Sequence, residues 1–488
     1  MRAAVLCLAL LTTLASGCGR RDDGPVTVAV IGNDDAFKES SGVRLGPAAQ
    51  LLRAATTEGL VSFDAQGRVV PALADRWIVT EGGQSYIFRL RNGNWPDGTA
   101  ITGDAAAKAL RRTVDSLSRT ALARDLALID EIRAMAGRVV EIRLKAPVPH
   151  FLDLLAQPEL GLTWKGKGAG PMELERLQNV AVLDPIAPEA RGLPAEEGWA
   201  ERLRPLRVRI EPAAEAVTRF NDGYADIVLG GTADTLPLVR TFGLSRGNLR
   251  LDPVIGLFGL MVASDDGFLA EPENREAIAM AIDREALVGE FDLGGWQPTT
   301  RLVSPEVTDD LGTIGERWEG IEIAERQRAA AARVARWNAG RDEPVRLRIA
   351  LPSTPGGDII FNRLKADLAA MGITPVRVEE GKPADLRLFD AVARYGRAAW
   401  FLNQLSCATG RAVCSREADA LVEEARLTAD PAARQGLLAE AEAEITAANG
   451  FIPFARPLRW SLVRGDIVGF ATNPWGVHPL LPLALTPK

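Results

Sequence analysis

The sequence predicts an α/β fold, and three observations lead to that class. A strand–helix–strand order over residues 345–378 is typical of parallel strands joined by a crossover helix. A hairpin-rich block lies near residue 80, where two alternating segments flank Glu81-Gly82-Gly83. The chain has 488 residues, the length of about three average domains. We therefore expect mixed sheets with helices on both faces, organised in more than one unit.

Alternating, β-branched segments predict the strands of the first third of the chain, and Ala-rich or capped segments predict its helices. Asp104 stands at the start of an Ala-rich segment as a candidate N-cap. In chain order, the predicted elements are a strand at 25–32, a helix at 47–57, a strand at 61–63, the hairpin strands 76–79 and 86–90, helices at 104–118 and 121–135, and a strand at 139–144.

The same signals predict the elements of the rest of the chain. An amphipathic helix at 273–290 is broken near Asp283, and the final helix begins with the start signal Asp430-Pro431. The other predicted elements are a strand at 225–229, an apolar run at 256–263, a helix at 324–337, a strand at 345–351, a helix at 359–371, a strand at 374–378, and helices at 415–427 and 430–448.

The composition excludes several classes of protein. Hydrophobic residues make up 47% and charged residues 25% of the chain, which argues against a disordered, collagen-like or multi-span membrane protein. The net charge is −7 and no long basic run is present, so we expect no nucleic-acid partner. The two histidines, His150 and His478, are interpreted as structural loop residues, and no pair of carboxylates is set apart for acid–base work. We therefore predict no catalytic residue, no metal site and no cofactor.

The first residues predict export from the cytoplasm. The apolar residues 3–11 are too few for a membrane-spanning helix and match the apolar region of a secretory signal. Leu-Ala-Ser-Gly-Cys at 14–18 resembles a bacterial lipobox, although Ala15 stands where that pattern more often has Leu, Val or Ile. We expect residues 1–17 to be a lipoprotein signal peptide and Cys18 to carry the lipid. Ordinary signal cleavage, which leaves a soluble periplasmic protein, is the alternative.

Export also changes how the remaining cysteines are interpreted. Cys407 and Cys414 are separated by six residues and would lie in an oxidising compartment. We expect a local disulfide between them, with two free thiols as the alternative. No further Cys or His lies nearby to complete a zinc site.

Ordered motifs in the first hundred residues carry a resemblance to a known family. The first reads Thr-Glu-Gly-Leu-Val-Ser-Phe-Asp at 57–64, followed by Gly-Arg-Val-Val-Pro-Ala-Leu-Ala-Asp-Arg-Trp at 67–77. The second reads Tyr-Ile-Phe-Arg-Leu-Arg-Asn-Gly at 86–93, followed by Trp-Pro-Asp-Gly-Thr at 95–99.

Two more motifs extend the resemblance to the C-terminal part. The third lies at 274–284 and ends in Ala-Ile-Asp-Arg. Together with the fourth motif, they make residues 49–478 similar to the family 5 solute-binding proteins of ABC transporters, the dipeptide, oligopeptide and nickel-binding group. The fourth motif consists of 418–425, Asp430-Pro431, Arg434 and Ile452-Pro453.

The resemblance implies a two-lobed periplasmic binding protein fold with an extra subdomain inserted in the first lobe. Ligand is expected to close the lobes as a hinge, and the closed form is presented to an ABC permease. The implied organisation is the signal peptide 1–17, the first lobe 18–60 with the inserted subdomain 61–165, a second part of the first lobe 166–261, the second lobe 262–455, and a return to the first lobe 456–488.

The resemblance also locates candidate ligand-binding residues. In peptide-binding relatives, an aspartate shortly before a Phe-Leu pair receives the peptide's amine. Here the pair is Phe401-Leu402, and an ungapped count places Arg394 at the aspartate's position, whereas Asp390 serves only if four residues are inserted. Trp400 either stacks on the ligand or fills the core. The expected ligand-binding residues are Arg394, Asp390, Trp400 and Asn403.

These observations predict a periplasmic solute-binding lipoprotein that captures a small peptide-like or anionic ligand and delivers it to an ABC importer. Its expected partners are the ligand, the permease subunits and the membrane that holds its lipid anchor. With Arg394 in place of an aspartate, free di- and tripeptides are expected to bind weakly, and acidic or N-blocked ligands better. The alternatives are sensing or chaperone work without transport, and a secreted hydrolase, which the missing nucleophile–base pair disfavours.

Overall fold

The computed structural model describes residues 24–120, 122–241 and 247–486. The predicted signal peptide, residues 1–17, and the predicted lipid anchor on Cys18 lie outside the described residues. Within them, strands and helices combine into mixed sheets covered by helices, and the predicted α/β class is confirmed. No helix in this part of the chain is both long enough and apolar enough to span a bilayer.

The strands are numbered in chain order and include several short pairs. They are β1 (Val26–Ile31), β2 (Val61–Phe63), β3 (Val69–Pro71), β4 (Ala74–Thr80), β5 (Ser85–Leu90), β6 (Ile129–Met135), β7 (Val139–Leu144), β8 (Thr163–Trp164), β9 (Lys167–Gly168), β10 (Met172–Leu177), β11 (Val180–Pro185), β12 (Leu206–Glu211), β13 (Ile227–Thr232), β14 (Leu249–Asp252), β15 (Gly256–Val262), β16 (Arg346–Ala350), β17 (Thr374–Val378), β18 (Leu386–Val392), β19 (Phe451–Ala455) and β20 (Arg459–Val463).

The helices are numbered in the same way, and short 3₁₀ turns join several of them to the strands. They are α1 (Ala36–Glu39), α2 (Pro47–Thr56), α3 (Gly103–Ser116), α4 (Ala123–Leu126), α5 (Phe151–Leu155), α6 (Ala213–Asn221), α7 (Leu236–Thr241), α8 (Pro272–Ala281), α9 (Arg284–Gly289), α10 (Ile323–Asn338), α11 (Pro355–Ala370), α12 (Ala398–Gln404), α13 (Arg416–Leu427), α14 (Pro431–Ala448) and α15 (Leu480–Leu483).

The first large sheet has the strand order β10-β11-β12-β1-β13-β20-β14. Its central strand β1 pairs in parallel with both β12 and β13, and Val28 and Ala29, on opposite faces, are fully buried. Strands that are covered on both faces consist of continuous apolar residues, which explains the β-branched run of β1. Strand β20 joins this sheet from the C-terminal part of the chain, between β13 and β14.

The second large sheet has the strand order β17-β16-β18-β15-β19. Helix α11 connects β16 to its parallel neighbour β17, so the predicted strand–helix–strand unit is confirmed. Asp283 separates α8 from α9 and accepts a hydrogen bond from the Ala286 N–H at 3.0 Å, which confirms the predicted break in that helix. Strand β18 lies between β16 and β15, and its last residues continue into the segment that leads to α12.

The antiparallel sheet β4-β5-β7-β6 carries α3 on one face and contains the predicted hairpin. The helix predicted at 121–135 is wrong, because α4 ends at Leu126 and β6 follows it. Ile132 of β6 pairs with Ile142 of β7 and is buried, so cross-strand packing outweighs the helical periodicity of this segment. The N-cap of α3 is also not Asp104 but Thr102, whose hydroxyl accepts from the Ala105 N–H at 3.2 Å.

The chain passes between the two large sheets twice. It leaves the first sheet after β14 and enters the second at β15, and it returns between β19 and β20. The lobe boundaries stay a proposal, and the sheet that contains β15 favours a boundary at residues 253–255 rather than at 261. Two short crossings of this kind are suited to act as a hinge.

Candidate ligand-binding cleft

A cavity of about 310 Å³ lies where the ends of both large sheets meet residues 61–165, called the inserted block below. Its volume is at the lower end of the range for small-molecule sites. The wall from the first sheet and the inserted block consists of Pro47, Gln50, Phe63, Leu122, Asp125, Gln157, Pro158, Arg459 and residues 475–477, and the opposite wall consists of residues 389–394, Trp400, Gln404 and Arg411.

Asp390, one of the predicted site residues, lines this cavity from strand β18. Both of its carboxylate oxygens accept hydrogen bonds from Nη1 of Arg459, at 2.8 and 3.0 Å. Burial raises the pKa of Asp390, and the Arg459 guanidinium opposes that rise. The charge of Asp390 is therefore balanced by an arginine of the opposite wall.

Arg394, the predicted cation of the site, also lines the cavity but is paired across it. Its guanidinium donates to the two carboxylate oxygens of Glu159 at 2.8 and 2.9 Å, and to Oε1 of Gln157 at 3.1 Å. Glu159 directly follows Gln157 and Pro158, which line the opposite wall, and its side chain is almost fully buried. In this structure the Arg394 guanidinium is already paired with the Glu159 carboxylate. A role for Arg394 in binding an anionic ligand stays a prediction.

Asp125 is a charged residue of the cavity that the sequence did not indicate. It lies on the short helix α4, and its Oδ1 accepts from the Tyr395 hydroxyl at 2.6 Å and from Nδ2 of Asn403 at 3.0 Å. Its Oδ2 has no hydrogen bond to any described residue. Burial raises the pKa of Asp125 to about 6, against the opposing effects of Tyr395, Arg426, Asn403 and Arg394.

Asn403, another predicted site residue, is buried and does not line the cavity itself. It acts on the site through Asp125, to which its amide donates. The carbonyl oxygen of its side chain has no hydrogen-bond partner among the described residues. Asn403 is therefore a positioning residue for the Asp125 carboxylate.

Aromatic rings form the apolar part of the lining. Trp400 lines the cavity while only 3% exposed, and its ring meets the Phe401 ring edge-on at 5.1 Å. On the opposite wall, Trp475 lies 6.1 Å from Phe63 and donates its indole N–H to the carbonyl of Gly67 at 2.8 Å. The site thus joins fixed aromatic surfaces to a few charged groups, as small-molecule sites usually do.

A disulfide joins Cys407 to Cys414, whose Cα atoms lie 5.1 Å apart. The loop that it closes carries Arg411 into the cavity lining. Arg411 donates to Oε1 of Gln404 at 3.0 Å and lies 5.7 Å from the centre of the Phe389 ring. Although much of the side chain is exposed, desolvation lowers the pKa of Arg411, and no carboxylate among the described residues forms an ion pair with it.

Thiol counting on the unfolded, unreduced mature chain is expected to find no free thiol at Cys407 or Cys414. Replacing both by serine is expected to lower the free energy of unfolding by roughly 2.5 kcal/mol, because the bridge restricts the unfolded chain. Chemical denaturation of the oxidised wild type and the double variant measures this difference. Two reactive thiols in the wild-type chain, or equal stabilities, would contradict the expectation.

The two histidines lie in packed surroundings outside the cavity. The His150 ring stacks on Tyr395 at 3.7 Å, and burial together with Arg397 and Arg434 lowers the pKa of His150 to about 3. Nε2 of His478 lies 3.1 Å from a carboxylate oxygen of Asp252. In the described part of the chain, no group of three or more His, Cys, Asp or Glu side chains is arranged to hold a metal ion.

The topology and the position of this cavity define a class of protein. Two mixed sheets, connected by two crossings and with a cavity at their junction, form the two-lobed periplasmic binding protein fold. The structure of the Escherichia coli murein tripeptide binding protein MppA matches with a TM-score of 0.80 at 19% identity, over 95% of this chain and 98% of that chain.

Sequence comparisons show the same similarity. Residues 68–176 match the family described as bacterial extracellular solute-binding proteins, family 5 Middle. The chain is 25% identical over 329 residues to the "Probable deoxycholate-binding periplasmic protein YgiS" of Escherichia coli K12, an alignment that covers 60% of this chain and 59% of that protein. It is 24% identical over 484 residues to the "Probable di/tripeptide-binding protein 5" of Pseudomonas aeruginosa UCBPP-PA14, covering 86% and 87%. The chain is thus similar to the family 5 extracellular solute-binding proteins, as its sequence motifs predicted, and the family model itself covers residues 68–176.

Proposed function

We propose that the protein is a periplasmic solute-binding lipoprotein that captures a small peptide-like or anionic ligand and delivers it to an ABC importer. The observation that carries the proposal is the cavity between the two sheets, which has charged side chains on both walls. The names of two relatives add support, since one describes a deoxycholate-binding and the other a di/tripeptide-binding protein. The ligand is small, because about 310 Å³ is available in this conformation.

Contacts across the cavity support a mechanism of closure around the ligand. Arg394 pairs with Glu159, and Tyr395 donates to Asp125, so polar groups of one wall reach those of the other. In the proposed mechanism, these contacts form as the lobes rotate about the crossings at residues 253–255 and 456–458. The permease then distinguishes the closed form from the open one.

The chemistry of the lining favours binding over catalysis. The described lining contains no serine, threonine, cysteine, lysine or histidine, and therefore no activated nucleophile of those types. The chain has a Gly-Leu-Ser-Arg-Gly sequence at residues 243–247, of which 243–246 lie outside the described residues. It stands between helix α7 and strand β14, whereas a nucleophile turn stands between a strand and the following helix.

The proposal is tested by native mass spectrometry of the protein purified from the periplasm without denaturation. We expect a co-purified small molecule at one copy per chain, which calorimetry then shows to rebind to the stripped protein. Deletion of the gene is expected to reduce cellular uptake of that compound. Binding of no compound, or conversion of the compound into product, would count against a transport-binding role.

A separate expectation concerns the lipid anchor. Cys18→Ala should move the protein from the membrane fraction to the soluble periplasmic fraction, because a multiply acylated cysteine holds a protein at the membrane stably. Fractionation and immunoblotting measure this change, and Ser16→Ala, which keeps a small residue before Cys18, is the matched control. Unchanged membrane association of the Cys18→Ala protein would refute lipidation.

A further inference from the structure

We propose that a second cavity, separate from the cleft between the two large sheets, binds a ligand through a phosphate monoester group. This cavity lies between helix α2, helix α3 and the hairpin of β8 and β9, and the two cavities share no lining residue in the described part of the chain. Its volume is about 840 Å³, so there is room for an organic group beside the phosphate. The inference does not depend on the function proposed for the cleft.

Basic side chains dominate the charged lining of the second cavity. Some of them already have a carboxylate partner, since Glu58 pairs with Arg91 and Arg191, and Asp97 pairs with Lys165 at 2.9 Å. The lining cations that form no ion pair with any described residue are Arg53, Arg112 and Lys167. A ligand that brings negative charge compensates these groups.

The carboxylates of the lining do not neutralise this excess. Glu159 accepts from the Arg394 guanidinium at 2.8 and 2.9 Å, so its charge is already paired with a residue of the cleft. Glu173, on strand β10, is exposed and forms no ion pair with any described residue. Three unpaired cations against one unpaired carboxylate leave an excess of two positive charges. A phosphate monoester matches it, because this group carries about −1.5 to −2 charges at neutral pH.

Arg53 is the buried cation of the site. Its side chain is only 8% exposed, and its guanidinium is held by the carbonyls of Ser40 and Gly42, the second at 2.7 Å from Nη2. Its Nη1 atom has no hydrogen-bond partner among the described residues. Desolvation lowers the pKa of Arg53, and the charge of Glu159 opposes this effect. A desolvated guanidinium whose direct partners are neutral carbonyls gains more from a bound phosphate than an exposed one does.

The glycine-rich segment 165–170 shapes one wall of the cavity. Lys165 and Gly166 form the two-residue turn between β8 and β9, with φ angles of 50° and 80°. A Cβ atom at Gly168 would overlap the Thr57 side chain, so the hairpin packs directly against the end of α2, the helix that carries Arg53. Lys167 therefore lies on the same cavity as Arg53.

Helix α3 supplies the remaining unpaired cation. Arg112 is exposed, and its guanidinium carbon lies 5.7 Å from the centre of the Trp164 ring in strand β8. The unpaired cations thus come from three different elements that surround one cavity. A phosphate group, with three charged or polar oxygens, can accept hydrogen bonds from several such donors at once.

Two binding measurements at pH 7.5, in buffer without phosphate, test the site. In calorimetry, we expect glycerol 3-phosphate to bind the wild type at least about tenfold more tightly than glycerol, which lacks the charged group. In sedimentation, the full-length Cys18→Ala protein is mixed with phosphatidylcholine vesicles with or without phosphatidic acid. Binding of glycerol 3-phosphate indicates a soluble source of the phosphate, and binding only to phosphatidic acid vesicles indicates a lipid headgroup. Binding to neither probe would overturn the proposal and leave the function of the cleft untouched.

Variants of the unpaired cations assign the phosphate to this cavity. Arg112→Gln and Lys167→Gln are each expected to weaken binding of the probe by about three- to fivefold, as loss of an exposed charge contact does. Arg53→Gln is expected to weaken it by at least about tenfold, because the lost contact is buried. Thermal unfolding verifies that each variant is folded. If Arg53→Gln fails to fold, the two exposed variants decide, and unchanged binding in both would overturn the assignment.

A variant with the opposite expected effect separates electrostatics from structural damage. Glu173→Gln removes the unpaired carboxylate of the lining and is expected to strengthen binding of the probe by about two- to threefold. Weaker binding in Glu173→Gln would contradict the proposed balance of charges.

Two further variants are controls for the position of the site. Lys365→Gln removes an exposed lysine of α11, outside the cavity, and should leave binding of the probe unchanged. A loss equal to that of Lys167→Gln would indicate general attraction to a cationic surface and overturn the site. Arg411→Gln removes a cation of the cleft. Binding lost in Arg411→Gln but kept in Arg112→Gln and Lys167→Gln would place the phosphate in the cleft instead.

Discussion

Glu58→Ala is expected to lower the free energy of unfolding by about 3–5 kcal/mol, because it leaves the buried Arg91 guanidinium and the partly buried Arg191 guanidinium without a counter-charge. Glu58 accepts from Nη1 of Arg91 at 2.7 Å and from Nη2 of Arg191, and the Glu58 and Arg91 side chains are less than 10% exposed. Arg91 also donates to the carbonyl of Arg191 at 2.8 Å. The cluster ties the end of α2 to strand β5 and to the loop before β12, so its loss loosens all three.

Chemical denaturation with a matched surface variant tests this expectation. Glu196→Ala removes the carboxylate of an ion pair with Arg202 in which both side chains are about half exposed. Such a pair contributes roughly 0–1 kcal/mol, since water screens it and both side chains lose entropy in forming it. If both variants lower the free energy of unfolding by the same amount, the buried Glu58 cluster stabilises the protein no more than an exposed ion pair does.

The Glu58 cluster also explains why the family was predictable from the sequence. Glu58 belongs to the first family motif and Arg91 to the second, and the structure joins them. In the same way, Arg284 of the third motif donates to the carbonyl of Pro453 in the fourth, at 2.7 Å. These motifs are contacts of the protein's framework, in which a few residue types at fixed positions satisfy buried charges and carbonyls. Such contacts specify the fold but not the ligand.

The cleft was less predictable, because its electrostatics depend on partners that are distant in sequence. Counting from Phe401-Leu402 placed Asp390, Arg394 and Trp400, which all line the cavity. The count gave no indication that Glu159 would neutralise Arg394 from 235 residues away, or that Arg459 would pair with Asp390 from 69 residues away. A residue at a family position can be predicted to line the cavity. Whether its charge is paired depends on neighbours in the folded structure that are distant in sequence.

Two further residues were missed for local reasons. Asp125 lies in the segment predicted as one continuous helix, where it would be one acid among several on a solvated face. The chain instead turns after α4, and this turn buries Asp125 against Tyr395 and Asn403. Arg411 lies between Cys407 and Cys414, a loop whose closure was predictable but whose direction was not.

Asp125→Asn is expected to stabilise the ligand-free protein at neutral pH. The folded-state pKa of Asp125, about 6, lies above its ordinary value of 3.8, so the folded protein holds this proton more tightly than the unfolded chain. The stability contributed by the protonated carboxyl is complete below pH 3.8 and is lost as the pH rises to about 6. This difference corresponds to a cost of about 3 kcal/mol above pH 6, which a neutral amide avoids.

Chemical denaturation of both proteins between pH 4 and 7.5 measures this gain, which should be largest at pH 7.5 and vanish near pH 4. Burial also raises the pKa of Glu442, to about 7, so the difference between wild type and variant isolates the contribution of Asp125. Asp385→Asn is a control with the opposite expected effect on stability. Arg348 lowers the pKa of Asp385, so removing the charge of Asp385 should destabilise the protein at neutral pH. A loss of stability in Asp125→Asn at pH 7.5 would contradict a strained, ionised carboxylate in the cleft. A gain at pH 7.5 that vanishes near pH 4 would mean that the ionised Asp125 carboxylate lowers the stability of the ligand-free protein.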